Sequence, residues 1–198
     1  MVLPSDGHHV LIRHGFLSEV CINSLSDKEL VEKARSGSRE AFGEIYVRYG
    51  NCVYDYSLRF TRDPEAAKDA TQETFLRMYS ALAELRNGVL LRVWLLSIAR
   101  NFLLNSRRNK RLIDRLQDEP ISTDDSPFDT ILREENSLTV RSLVDSLHPA
   151  LREVVVLREY EGLSYRDVAA VTGISEENVA VRLFRARKAI AARLKRET

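Results

Sequence analysis

Two helix start signals separated by a glycine, in the C-terminal third of the chain, restrict its fold more than any other feature. Ser164 is followed three residues later by Asp167, an arrangement that caps the start of a helix. Gly173 ends that short helix, and Ser175 can cap a longer one that runs from Glu176 to about Leu194. A short helix, a turn with a glycine and a longer helix predict a helix-turn-helix.

The second of these helices is basic on the face opposite its apolar anchors, Val179 and Leu183. Its basic residues are Arg182, Arg185, Arg187, Lys188, Arg193, Lys195 and Arg196. Phosphates need cations, whereas the first turns of a recognition helix face the base edges. We therefore predict DNA binding, with a groove-facing end formed by Glu176, Glu177, Asn178 and Ala180. For the basic run alone, a solvated helix face is the alternative interpretation.

The rest of the chain also has helical periodicity. Ser26 with Glu29 matches a capping box, and Asp63 before Pro64 is typical of a helix start. No segment alternates as a strand does, so the fold class is predicted to be all-α. The apolar stripes are Leu30, Val31 and Ala34; Ala41, Phe42, Ile45, Tyr46 and Tyr49; Val53, Tyr56 and Phe60; Ala67, Ala70, Phe75, Leu76 and Tyr79; and Val93, Trp94, Ile98, Phe102 and Leu103.

The distribution of charge divides the chain. Lys and Arg total 30 against 29 Asp and Glu, so net charge identifies no partner. Acidic residues dominate between Asp114 and Glu135, where Pro120 and Pro127 also interrupt any helix. We predict two small helical domains, over 26–112 and 136–198, joined by an acidic linker over 113–135 and preceded by a flexible leader over 1–25.

The N-terminal domain carries two candidate binding surfaces. Asp69, Gln72 and Glu73 share one helix face, which is either exposed to solvent or a docking surface for a basic partner. The helix of Trp94 continues into a basic run at 107–111, although a lone tryptophan at this spacing is more often part of the core. Cationic regions on both sides of an acidic linker suggest one nucleic acid contacted twice.

In this order, the motifs resemble those of extracytoplasmic-function (ECF) sigma factors of bacterial RNA polymerase. Residues 27–111 look like region 2 of that family, with Asp69-x-x-Gln72-Glu73-x-Phe75 in its polymerase-binding helix and Trp94-Leu95-x-x-Ile98-Ala99-Arg100-Asn101 in the next helix. Residues 136–195 look like region 4. The family commonly has an acid in place of Lys68. It also commonly has a basic or polar residue in place of Ala180 and Val181, so we expect an unusual −35 preference.

The resemblance implies a role in promoter recognition, with core RNA polymerase, promoter DNA and an anti-sigma factor as partners. It implies contacts with the clamp helices of the largest subunit, and with the flap, and assigns to core binding Asp69, Gln72, Glu73 and Leu76. It assigns to the −10 element Arg86, Asn87, Trp94, Arg100, Asn101, Arg107 and Arg108. It assigns to the −35 element Ser164, Tyr165, Ser175, Glu176, Glu177, Asn178, Ala180, Arg182, Arg185 and Arg187. The acidic linker would lie in the path of nascent RNA.

Other functions have less support in the sequence. The main rival is a free-standing helix-turn-helix regulator, which would bind duplex DNA tightly without polymerase. The chain lacks a glycine-rich phosphate loop and a nucleophile with a plausible base, so we expect no enzyme activity and no cofactor. With two cysteines a structural-zinc quartet is excluded, and the leader residues His8, His9, His14 and Cys21 fit no known metal site. Without a signal peptide or an apolar span, we expect a cytoplasmic protein.

Overall fold

The structure, a computed structural model, describes residues 24–85, 90–116 and 141–197, and for 109–116 and 195–197 it describes the backbone alone. Within these ranges every regular element is helical, which confirms the predicted all-α class. The leader up to residue 23 and residues 117–140, which include most of the predicted linker, lie outside the described residues.

Four helices form the first half: α1 (Asp27–Arg35), α2 (Arg39–Thr61), α3 (Pro64–Ala81) and α4 (Leu91–Leu116). Helices α1 and α3 begin where their predicted caps place them. The Ser26 amide donates to Glu29 Oε2 at 2.8 Å and the Ser26 hydroxyl accepts from the Glu29 amide, completing the capping box. Asp63 Oδ1 accepts from the Glu65 amide at 2.9 Å in front of Pro64. Helix α4 extends past position 113, where the sequence placed the start of the linker.

The core of this half lies between α2, α3 and α4, with α1 packed on α2. Its completely enclosed large side chains include Leu30, Ile45, Tyr56, Met78 and Leu95. Burial of such side chains stabilises the fold by about 1.5–3 kcal/mol each. The first three of these residues belong to the predicted stripes, whereas Met78 and Leu95 do not, and in α4 the stripe through Val93 and Trp94 is only half-buried.

The second half contains a helical segment at 141–145 followed by α5 (Pro149–Val155), α6 (Tyr165–Thr172) and α7 (Glu176–Glu197). His148 Nδ1 accepts from the Ala150 amide at 3.3 Å, so His148 is the cap that its position before Pro149 predicts. Helix α5 widens into a π-helical turn, Val156–Tyr160. Gly173 ends α6 with a positive φ of 70°, a conformation that costs glycine little.

The two halves meet in a buried polar junction, where α4 packs on α6 and α2 contacts α5. Glu153 of α5 is 7% exposed, and Arg100 Nε of α4 donates to Glu153 Oε1 at 2.6 Å. The Tyr56 hydroxyl of α2 donates to the same oxygen at 3.3 Å. Burial, and then the Glu153 carboxylate, raise the pKa of Tyr56 well above its usual value, so its hydroxyl keeps the proton that it donates.

We predict that Glu153→Ala lowers the free energy of unfolding by about 3–5 kcal/mol, because it leaves Arg100 buried without its carboxylate partner. Urea unfolding followed by circular dichroism measures the change. Glu159→Ala is the control, since its pair with Arg187 is 49% and 59% exposed and is expected to contribute about 0–1 kcal/mol. Equal losses in the two variants would show that the junction pair contributes no more than a surface ion pair.

Candidate polymerase and nucleic-acid interfaces

An open groove of about 800 Å³ lies between α2 and α3. We refer to it as the α2–α3 groove. Large apolar side chains line it although they are half or more exposed: Tyr46 at 50%, Val47 at 72%, Leu76 at 56% and Tyr79 at 67%. Exposed apolar side chains grouped in this way are typical of a surface that another protein covers.

The predicted polymerase-binding residues divide between this groove and the adjacent face of α3. Gln72 and Leu76 line the groove. Asp69, three residues before Gln72 on α3, is exposed. Glu73 faces away from the groove and accepts a hydrogen bond from Arg77 Nε at 2.6 Å. The acidic face and the apolar groove are therefore neighbouring parts of one helix surface.

Tyr46 and Tyr79 belong to the predicted apolar stripes, but they lie outside the buried core. The stripe in α2 includes Ala41 and Ile45, which are fully buried, but it is wider than the face that α3 covers. Tyr46 is left at the edge of that face, with its ring centroid 4.7 Å from that of Phe75. The width of the stripe was the available signal that part of it lies outside the core.

Helix α4 presents part of the predicted −10 surface. Trp94 is half-buried against the core, as its spacing with Ile98 suggested. Arg100 is paired with Glu153 at the junction. Arg86 and Asn87 lie outside the described residues. The predicted −10 residues that are exposed on α4 are Asn101, Arg107 and Arg108.

A second ion pair at the junction encloses the thiol of Cys52. Arg92 of α4 donates through Nη2 to Glu161 Oε2 at 2.6 Å and through Nε to Cys52 Sγ at 3.2 Å. The thiol in turn donates to Glu161 Oε2 at 3.1 Å. Burial, assisted by the Glu161 carboxylate and opposed by Arg92, raises the pKa of Cys52 to about 11. The thiol is therefore protonated at neutral pH.

The helix-turn-helix has the predicted caps. Ser164 Oγ accepts from the Asp167 amide at 3.1 Å and donates to Asp167 Oδ2 at 2.6 Å. Ser175 Oγ accepts from the Asn178 amide at 3.3 Å. Tyr165 is half-buried, and the Arg158 guanidinium lies 5.3 Å from its ring centroid. Both helix starts of the motif are therefore fixed by local hydrogen bonds.

Helix α7 packs on α5 and α6 through Val179, Leu183 and Ala186, which are at most 1% exposed. Ala180 and Arg182 are half-buried beside this packed face. Arg187 pairs with Glu159 at 2.7 Å. The other predicted −35 residues of α7 are exposed, namely Glu176, Glu177, Asn178 and Arg185.

Known proteins share both halves of this arrangement. Residues 45–113 match Sigma-70 region 2, and residues 137–190 match Sigma-70, region 4. The RNA polymerase sigma-H factor of Pseudomonas aeruginosa is 34% identical over 176 residues, covering 83% of this chain and 91% of the relative. The ECF RNA polymerase sigma-E factor of Escherichia coli is 32% identical over 178 residues, covering 84% and 93%. The chain belongs to the ECF sigma factors.

Solved structures are similar over most of this sigma factor. CnrH, solved in complex with the cytosolic domain of CnrY, is 28% identical with a TM-score of 0.65, covering 87% of this chain and 99% of CnrH. The sigma factor RpoE of Bartonella quintana, solved with the anti-sigma factor NepR, is 20% identical with a TM-score of 0.64, covering 78% and 96%. The similarity to RpoE, at 20% identity, shows a shared fold.

Membership of this family establishes the general function. As an ECF sigma factor, the protein directs RNA polymerase to initiate transcription, and sigma factors are non-enzymatic. This decides between the two functions that the sequence left open, against the free-standing regulator. In the described part of the chain, no helix is long and apolar enough to cross a membrane. The same ranges contain no group of three or more His, Cys, Asp or Glu side chains that could hold a metal ion.

We predict that the rate of Cys52 alkylation, measured in a Cys21→Ser variant, rises with pH as expected for a thiol whose pKa is about 11 rather than the ordinary 9.0. Above pH 9 the unfolded chain releases this proton while the folded chain keeps it. The contribution of the thiol to stability is therefore present below pH 9 and is lost as the pH rises towards 11. Iodoacetamide rates as a function of pH measure the pKa, with the urea-unfolded chain as control. A folded-state midpoint equal to that of the control would contradict the enclosed thiol.

Proposed function

We propose that this sigma factor engages its partners through three separate surfaces. The α2–α3 groove and its acidic rim bind the clamp helices of the largest polymerase subunit. The outer face of α4 binds the melted −10 strand. Helix α7 binds the −35 element as duplex, and region 4 as a whole contacts the flap.

The groove supports the first assignment because it combines apolar walls with polar groups at the rim. An amphipathic helix buries its apolar face in such a groove, and polar rim groups orient it. Leu76 supplies apolar surface while Gln72 and Asp69 supply the rim. Lys68, where the family commonly has an acid, is paired with Glu65 at 2.6 Å, so its charge is locally balanced.

The exposed end of α4 supports the second assignment. Asn101, Arg107 and Arg108 offer hydrogen-bond donors and cations on one helix, and single-stranded DNA is held by cationic tracks with stacked bases. Removal of a base from the DNA stack costs a few kcal/mol, and such contacts have to supply that energy. Arg100 joins this surface when it separates from Glu153.

An anti-sigma factor is the third partner class that we propose. The RpoE relative of Bartonella quintana was solved with such an inhibitor. In this chain the α2–α3 groove is the most apolar exposed surface described above, so an inhibitor that covered it would compete directly with polymerase. The role of the acidic segment in the RNA path stays a prediction.

We predict that Leu76→Lys reduces run-off transcription with core polymerase about tenfold or more at limiting sigma concentration, because it places a charge in the apolar groove. The template carries the promoter of the protein's own operon, and a start site that requires the protein is the readout. Glu32→Lys is the matched control, since it also introduces a lysine and Glu32 is an exposed residue of α1, a helix outside the three proposed surfaces.

Transcription by the control at the wild-type level, together with loss in Leu76→Lys, would support the assignment of the groove. Restoration of Leu76→Lys activity by a higher sigma concentration would show that binding, and not folding, is affected. Equal activity of both variants at limiting concentration would place the polymerase contact elsewhere.

A further inference from the structure

The outward face of α7 has two exposed apolar side chains at its centre. Val181 is 45% exposed and Phe184 is 68% exposed. They are three residues apart, so they are neighbours on one helix face, about 5–6 Å apart at Cβ. That face is directed away from Val179 and Leu183, which anchor the helix to the core. Both side chains are open to solvent on this face, Phe184 more than Val181.

Charge around this pair favours DNA as the surface that covers it. Arg185 and Lys188 are exposed on the same side of α7, and Arg182 is half-buried beside it. Cations on an exposed helix face attract the phosphates of DNA, while the first turns of a recognition helix meet the base edges. A protein partner would have to desolvate these cations to reach the apolar pair. The apolar pair therefore lies where a recognition helix meets the bases.

The chemistry of the two side chains restricts which bases they can read. Neither Val181 nor Phe184 can donate or accept a hydrogen bond, so neither can recognise guanine, adenine or cytosine through a hydrogen-bonding edge. The apolar group that DNA presents in the major groove is the C5 methyl of thymine. The two residues are separated by about 4.5 Å along the helix, against a rise of about 3.4 Å per base pair, so they can meet base pairs one or two steps apart.

From this geometry we propose that Val181 and Phe184 read the methyl groups of two neighbouring thymines in the −35 element. The proposal rests on the assignment of α7 to the −35 duplex and specifies what that surface recognises. Specificity at these two positions comes from apolar contact, whereas the surrounding arginines and lysine supply affinity that is independent of sequence.

Replacement of thymine by deoxyuridine tests the proposal, because it removes the methyl and keeps every hydrogen-bonding group. The full-length sigma factor with core polymerase is titrated onto the promoter of its own operon, with each −35 thymine replaced in turn. We expect the wild-type complex to bind about fourfold more weakly for each methyl that is read. We expect Val181→Ser and Phe184→Ala each to abolish the preference at one position, and Glu32→Ser on the exposed face of α1 to retain both preferences.

The alternative outcomes are distinct. Equal binding to thymine and deoxyuridine templates, with a scrambled −35 element still rejected, would overturn the methyl reading and leave the proposed function intact. Loss of core polymerase binding in Val181→Ser, with no effect of deoxyuridine, would identify the patch as a protein contact. Absence of any start site that requires the sigma factor would overturn the proposed function itself, and the methyl reading with it.

Discussion

The buried carboxylate of Glu153 is the interaction on which the arrangement of the two halves depends. At 7% exposure it would be costly without partners, since a charge removed from water has to be paired and hydrogen-bonded. Arg100 and Tyr56 supply the charge and the second hydrogen bond from two different helices. One side chain of α5 therefore fixes the positions of α2 and α4 relative to region 4. The Arg92–Glu161 pair, in which Glu161 is buried, adds a second polar link across the same junction.

The pair between Arg100 and Glu153 also limits what the arrangement can do. Arg100 lies on the helix that we assign to the −10 strand, and its Nε and Nη2 both donate to Glu153. Carboxylate and phosphate are bound by the same fork of donors, so the glutamate occupies the position that a phosphate would take. Under the proposed assignment of α4, this pair of donors becomes available to a phosphate when Arg100 separates from Glu153.

Much of the fold was predictable because its signals are local. The caps at Ser26, Asp63, His148 and Ser164 each involve residues two or three positions apart, so the sequence displays both partners side by side. The junction was not predictable in this way, since Arg100 and Glu153 are 53 residues apart and no periodicity relates them. For the candidate site the limit was different. Periodicity identified the apolar residues of α2 and α3 but not which of them a neighbouring helix covers, and that difference separates Ile45 from Tyr46.

Helix α7 shows why charge alone does not define a recognition surface. Its arginines and lysines attract any DNA, and that attraction falls steeply with salt because it releases counterions. A sigma factor has to choose a promoter among many competing sites, so part of its binding energy has to depend on sequence. Arg187 of α7 is already paired with Glu159. In the proposed reading, Val181 and Phe184 supply that part through apolar contact, beside the exposed Arg185. An apolar contact is insensitive to counterions, so in this design affinity and specificity respond to different properties of the DNA.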